Sequence, residues 1–245
     1  MATFVLVPGG WCGGWAWKWV TPLLRQAGHQ VYPITPTGLG ERSHLAHPDL
    51  DLDTHVQDVI NVIQYEDLNE IVLVGWSYGG LLITGVGDRI PQRIRQLVYL
   101  DVDARRLNRN ESAVIEGDPW WQARKQLTDE QGNGWRVPIV MDSWEDPTDT
   151  SAYIPDATIR RWCMERVVPQ PIKTFTQRLS LTNAPMTALP HRHIVCTQDK
   201  SEEDVAEMRE VIKQRGGAYR ELATHHLCLW VAPELVATAL LDALE

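Results

Sequence analysis

Ile71-Val72-Leu73-Val74-Gly75-Trp76-Ser77-Tyr78-Gly79-Gly80-Leu81 is the stretch that decides the fold. Four apolar, mostly β-branched residues read as a buried strand, and Leu81 to Arg89 reads as a helix that begins with no linker between. A strand that turns at once into a helix crowds its own backbone at the outer positions of the turn. Glycines at 75 and 79 relieve that crowding, and Ser77 is left at the apex. The pentapeptide Gly75 to Gly79 is therefore a nucleophile elbow, provided partners for the serine can be found.

Around this stretch the chain alternates. Strand-like runs lie at Thr3 to Val7, Gln30 to Ile34, Leu97 to Leu100, Ile194 to Thr197 and Tyr219 to Leu222. Between them are helical periods. Val56, Val59, Ile60 and Ile63 follow an expected N-cap at Asp53, and Val205, Met208, Val211 and Ile212 follow Ser201, with Asp204 three residues on. A last helix opens near Pro233. Alternating strands and helices predict a mostly parallel, doubly wound α/β sheet covered on both faces. From about Ala104 to Leu189 the rhythm breaks into polar turns with no convincing strand, so residues 104–189 are expected to form a helical cap inserted between core strands, with 1–103 and 190–245 as the core of one domain.

Composition excludes several classes. The 245 residues are 44% apolar, enough for one sizeable core, and the net charge of −9 without a basic run longer than two residues leaves no source of phosphate attraction. No nucleic acid or membrane partner is expected. Pro8 interrupts the first apolar run before it could serve as a signal peptide, so a cytoplasmic location is expected. Cys12, Cys163, Cys196 and Cys228 lie far apart, and the histidine pairs 44/47 and 191/193 lack supporting ligands; no metal site is expected. The glycines at 9, 10, 13 and 14 do not fit the spacing of a dinucleotide loop, and no cofactor is expected.

In a sheet of this kind catalytic groups collect at the carboxyl ends of strands. Asp199 follows the run Ile194 to Thr197, and His225-His226 follow Tyr219 to Leu222. Serine is a weak nucleophile unless a neutral imidazole takes its proton, and the resulting imidazolium needs a carboxylate on its other nitrogen. His226 is the candidate base, with His225 beside it as competitor. Asp199 is the candidate acid, with Asp101 and Asp103 in competition because they follow Leu97 to Leu100. The turn Pro8-Gly9-Gly10 and the residue after the serine offer unobstructed backbone amides, so Gly10 and Tyr78 are assigned to an oxyanion hole. Of the eleven tryptophans, Trp11 and Trp76 near the elbow and Trp120, Trp121 and Trp144 in the insertion, with His225, either line an apolar aromatic pocket or fasten cap to core.

These segments together resemble the α/β-hydrolases of the methylesterase and hydroxynitrile lyase type, and in particular their bacterial esterase members. The resemblance rests on Phe4 to Trp11 with Gly14, Trp15 and Trp17, on Thr37 to Arg42, on Leu52 to His55 with Asp58-Val59, on Gly75 to Gly80, on Val98 to Asp101, and on the Asp199 and His226 segments. It implies the α/β-hydrolase fold and selects His226, which stands seven residues before Pro233, over His225. It also implies a small-molecule ester substrate and leaves a homodimer open. Where such proteins commonly carry histidine, this chain has Pro8 and Trp76. Where the cyanohydrin-cleaving members carry lysine and threonine, it has Leu227 and Gly9, so hydrolysis is expected rather than carbon–carbon cleavage or a ligand-receptor role.

Overall fold

The computed structural model describes residues 1–106, 119–149, 152–181 and 189–244. The core elements are β1 (Thr3–Val7), α1 (Val20–Gln26), β2 (Gln30–Pro33), α2 (Leu52–Tyr65), β3 (Ile71–Trp76), α3 (Gly79–Arg89) and β4 (Ile94–Leu100). Then come α4 (Pro119–Gln131), β5 (Arg136–Val137), α5 (Ala157–Met164), β6 (Gln170–Pro171) and α6 (Lys173–Thr176). The chain returns to the core with β7 (His191–Cys196), α7 (Glu202–Gln214), β8 (Ala218–Leu222), α8 (Cys228–Val231) and α9 (Pro233–Asp242). Six strands form one parallel sheet in the order β2-β1-β3-β4-β7-β8.

The period-two geometry of a strand sorts alternate side chains to opposite faces, and here both faces are apolar. Phe4, Leu6, Val72, Val74, Val98 and Leu100 point to the face covered by α1, α8 and α9, where they meet Val20, Leu24, Leu229, Val236 and Leu240. Val5, Val7, Leu73, Leu97 and Tyr99 point to the face covered by α2 and α3, against Val56, Val59, Ile63, Leu82 and Val86. Burial of each such side chain stabilises the fold by about 2 kcal/mol.

Two elements of the fold depart from the sequence reading. The N-cap of α2 is Asp51 rather than Asp53: the Asp51 carboxylate accepts from the Thr54 N–H at 2.9 Å and from its hydroxyl at 2.7 Å. Asp53, already inside the helix, pairs with Arg89 and accepts from Gln177 instead. The insertion is not wholly helical, because β5 and β6 pair antiparallel, Arg136 with Pro171 and Val137 with Gln170. Two-residue strands are too short to give an alternating pattern, which is why the sequence shows none.

The turn between β3 and α3 is as crowded as the sequence requires. A methyl group on Gly75 would lie 2.5 Å from the Gly79 carbonyl oxygen, and one on Gly79 would lie 2.7 Å from the carbonyl oxygens of Val7 and Pro8. Gly75→Ala should therefore destabilise the protein by about 2–3 kcal/mol, read as a lower urea midpoint at unchanged slope.

Candidate active site

Ser77 sits at the apex of that turn with φ 53°, in the left-handed region that costs a non-glycine residue about 1–2 kcal/mol. Trp11 (φ 61°) and Asp101 (φ 47°) are in the same region, and all three stand at the carboxyl edge of the sheet, after β3, β1 and β4. Three of the six non-glycine residues with positive φ among the described residues thus stand at this edge, where the surrounding structure imposes their geometry. The Ser77 N–H donates to the Leu100 carbonyl at 3.1 Å, which ties the elbow to the end of β4.

The Ser77 hydroxyl lies 3.0 Å from His226 Nε2, and His226 Nδ1 lies 2.6 Å from a carboxylate oxygen of Asp101. The acid on the histidine is therefore Asp101, and the assignment to Asp199 is corrected. Sheet order supplies the reason. β4 stands between β3 and β7, so Asp101 is one strand nearer the elbow than Asp199. The Asp101 side chain is 2% exposed, and its other oxygen accepts from the Cys196 N–H at 3.0 Å and from Lys200 Nζ at 2.9 Å. Burial by itself would raise the pKa of this carboxyl; the hydrogen bond and charge of His226, with Lys200 behind, override it and hold the group at about 2.

Asp199 has a different position. One of its oxygens accepts from the backbone N–H of His226 at 3.3 Å and the other from Lys200 Nζ at 3.1 Å. On the other side, the Trp76 indole N–H donates to the His226 carbonyl at 3.0 Å, and its ring lies 5.5 Å from the imidazole. The loop after β8 thus presents a histidine whose backbone is fixed at both its N–H and its C=O. His225 is buried and turned to its own loop: its Nδ1 accepts from the Leu227 N–H at 3.2 Å, and burial lowers its pKa. Asp103 belongs to a surface cluster with Arg105.

The expected oxyanion turn is beside the serine. A methyl on Gly9 would lie 3.3 Å from the Ser77 Cβ. The turn is fastened by groups the sequence reading did not find. The Trp11 N–H donates at 2.7 Å to Gln170, which is fully buried; the Gln170 amide donates at 2.8 Å to Thr174, which adjoins the Tyr78 hydroxyl. From the core side, that hydroxyl lies 3.0 Å from His55 Nδ1, while His55 Nε2 donates to the Thr37 carbonyl at 2.8 Å. The backbone of Trp11 and the side chain of Tyr78 are thus both braced by this buried polar group of residues. Only His55 left a signal, since it lies three residues after Leu52 on the buried stripe of α2.

The tryptophans divide. Trp144 and Trp76 are buried against Trp230, at ring distances of 5.3 Å and 5.5 Å, and act as scaffold beneath the His226 loop. Trp11 packs at 5.1 Å on Phe175, which also meets Tyr78 at 5.3 Å and Trp121 at 6.1 Å, so this second group adjoins the oxyanion turn. The side chain of Trp120 lies outside the described residues. Among the described residues no three His, Cys, Asp or Glu side chains converge as metal ligands, and no helix is long and apolar enough to cross a membrane.

Residues 4–239 match the alpha/beta hydrolase family. The chain belongs to that family. Similar proteins include a carbendazim hydrolyzing esterase of Nocardioides sp. (strain SG-4G), 52% identical over 101 residues that cover 41% of this chain and 42% of the relative. An alpha-hydroxynitrile lyase of Arabidopsis thaliana is 32% identical over 99 residues, 40% of this chain and 38% of that one. The chain thus spans well under half the length of these relatives in the matched regions. Among solved structures, an extracellular alpha/beta-hydrolase from a Paenibacillus species superimposes with a TM-score of 0.83 at 21% identity, covering 99% of both chains, which establishes the shared fold.

Within this hydrolase fold the buried His55 is a pH-sensitive element. Burial lowers its pKa from 6.5 to about 4. A histidine kept neutral in the folded state but free to protonate when unfolded contributes stability above pH 6.5 that is lost as the pH falls towards 4. Wild type should lose about 3 kcal/mol more unfolding free energy between pH 6.5 and pH 4 than His55→Gln, measured by denaturant titration at each pH.

Proposed function

We propose that the protein is a serine carboxylic-ester hydrolase that works through an acyl-enzyme without a cofactor, with Ser77 as nucleophile, His226 as general base and acid, and Asp101 as the carboxylate of the triad. The observation that carries the reading is the unbroken chain Ser77 Oγ, His226 Nε2, His226 Nδ1, Asp101, with links of 3.0 Å and 2.6 Å. As Ser77 attacks the ester carbonyl carbon, its proton passes to Nε2 and the carbonyl electrons move to oxygen. The oxyanion is stabilised between the N–H groups of Gly10 and Tyr78. Each such donor is worth about 3 kcal/mol of barrier, which makes the fastening of this turn a catalytic concern. Collapse of the intermediate expels the alcohol, which takes the proton from His226. Water then attacks the acyl-enzyme with His226 again as base, releasing the acid and restoring Ser77.

The substrates are small aryl or hydrophobic esters. The apolar wall of Trp11, Trp121 and Phe175 beside the oxyanion turn supports this class, and similarity to a carbendazim hydrolyzing esterase puts carbendazim on the assay panel.

A panel of nitrophenyl and methyl esters tests the reading. Wild type should turn over with an acyl-enzyme burst wherever deacylation is the slower step, and Ser77→Ala and His226→Ala should abolish both burst and turnover. Asp101→Asn should lower kcat/KM about 10⁴-fold, since an amide favours the wrong tautomer of the imidazole. Absence of ester turnover, with release of aldehyde from cyanohydrins instead, would replace hydrolysis by lyase chemistry.

A further inference from the structure

Two buried carboxylates, from neighbouring strands, serve one histidine. Asp101 follows β4 and Asp199 follows β7, with side chains 2% and 8% exposed. A single such carboxylate suffices to orient and stabilise an imidazolium. A second one nearby would over-stabilise it, and a base that is held protonated cannot accept the serine proton. Lys200 lies between the two, 2.9 Å from Asp101 and 3.1 Å from Asp199. Burial alone would lower the pKa of its ammonium, but the charges and hydrogen bonds of Asp101, then Asp199, outweigh burial and raise it, so Lys200 is a cation throughout the working range.

We propose that Lys200 is a positioning residue that cancels the charge of Asp199, so that His226 faces one net negative charge and Asp199 acts as a strut on the backbone N–H of His226. This rests on the reading of Asp101 as the triad carboxylate.

The other groups around the site do not change the charge count. Burial lowers the pKa of His225, next to His226, which disfavours its charged form. Cys196, behind Asp101, is held as the thiol by its hydrogen bond with Cys228 and by burial. Arg105 is committed to Asp103, Asp204 and Glu207, and the carboxylate of Asp204, on α7 and within electrostatic reach of Lys200, accepts from Ser201 and that arginine. From the elbow, Ser77 and Trp76 bring no charge. The balance therefore lies with Asp101, Asp199 and Lys200.

A double-mutant cycle on kcat/KM for 4-nitrophenyl acetate, followed from pH 4.5 to 9.5, tests this. Rates are taken per serine labelled by a fluorophosphonate, and folding is checked by thermal melting. Asp199→Asn leaves the lysine uncompensated and should move the acid limb of the profile down by about 1 pH unit. Lys200→Met should move it up, and Asp199→Asn/Lys200→Met, which restores the count, should return it to within about 0.3 unit of wild type. An acid limb that stays in place or rises in Asp199→Asn overturns the charge pairing, as does a shift in the same direction in both single variants. Asp101→Asn in the same assay separates the two levels. Retained turnover there, with loss in Asp199→Asn, would overturn the triad reading. Loss in Asp101→Asn, with no shift in Asp199→Asn, would overturn the pairing alone.

Discussion

The absence of space between β3 and α3 is the constraint on which the rest depends. With the Gly79 carbonyl and the backbone of Val7 and Pro8 within contact of where Cβ atoms would stand, the chain can turn from strand to helix only through a left-handed residue at the apex. That residue is Ser77. Its strain is offset by the hydrogen bond from its own N–H to Leu100 and by the helix that starts two residues later. Because the same turn is pressed against the end of β1, the Gly9-Gly10 turn and Ser77 cannot move independently. One steric fact thus places the serine, its amide and the Gly9-Gly10 turn in one rigid unit.

Much of this was legible in one dimension. Strands buried on both faces are continuous apolar runs, and the turn glycines punctuate them, so the order of elements and the elbow followed from local pattern, whereas the family resemblance selected His226 over His225. The choice of acid did not. Asp101 and Asp199 each follow a strand-like run, and chain order favours neither; what separates them is that β4 is inserted between β3 and β7, which is a property of the sheet and not of either segment. The N-cap of α2 was misplaced for a smaller reason of the same kind. Asp51 and Asp53 are both suitable caps by type, and the pull of Arg89 and Gln177 on Asp53 comes from 36 and 124 residues away.

The groups least visible in the sequence are those that support the site through backbone atoms. Gln170 lies in a two-residue strand of the insertion, 159 residues from the Trp11 amide it accepts from. An unpartnered buried amide costs about 1–3 kcal/mol, so the Gln170 contact both satisfies a polar group and fixes the turn after β1. Since Gln170 also bonds to Thr174, which adjoins Tyr78, the insertion braces both the turn at Trp11 and the elbow. The insertion is therefore more than a cover over the sheet edge.

The same logic bears on His226. The loop after β8 has no regular structure up to Leu227, and a loop base that wandered by about 1 Å could cost 10²-fold in rate. Four contacts from three other segments prevent this: Asp199 on its N–H, Trp76 on its C=O, Asp101 and Ser77 on the ring. Two of those contacts are carboxylates, and burying two like charges around one ring is unfavourable unless a cation joins them. Lys200 is that cation, so positional accuracy and charge balance at the histidine are achieved by a single, partly buried cluster.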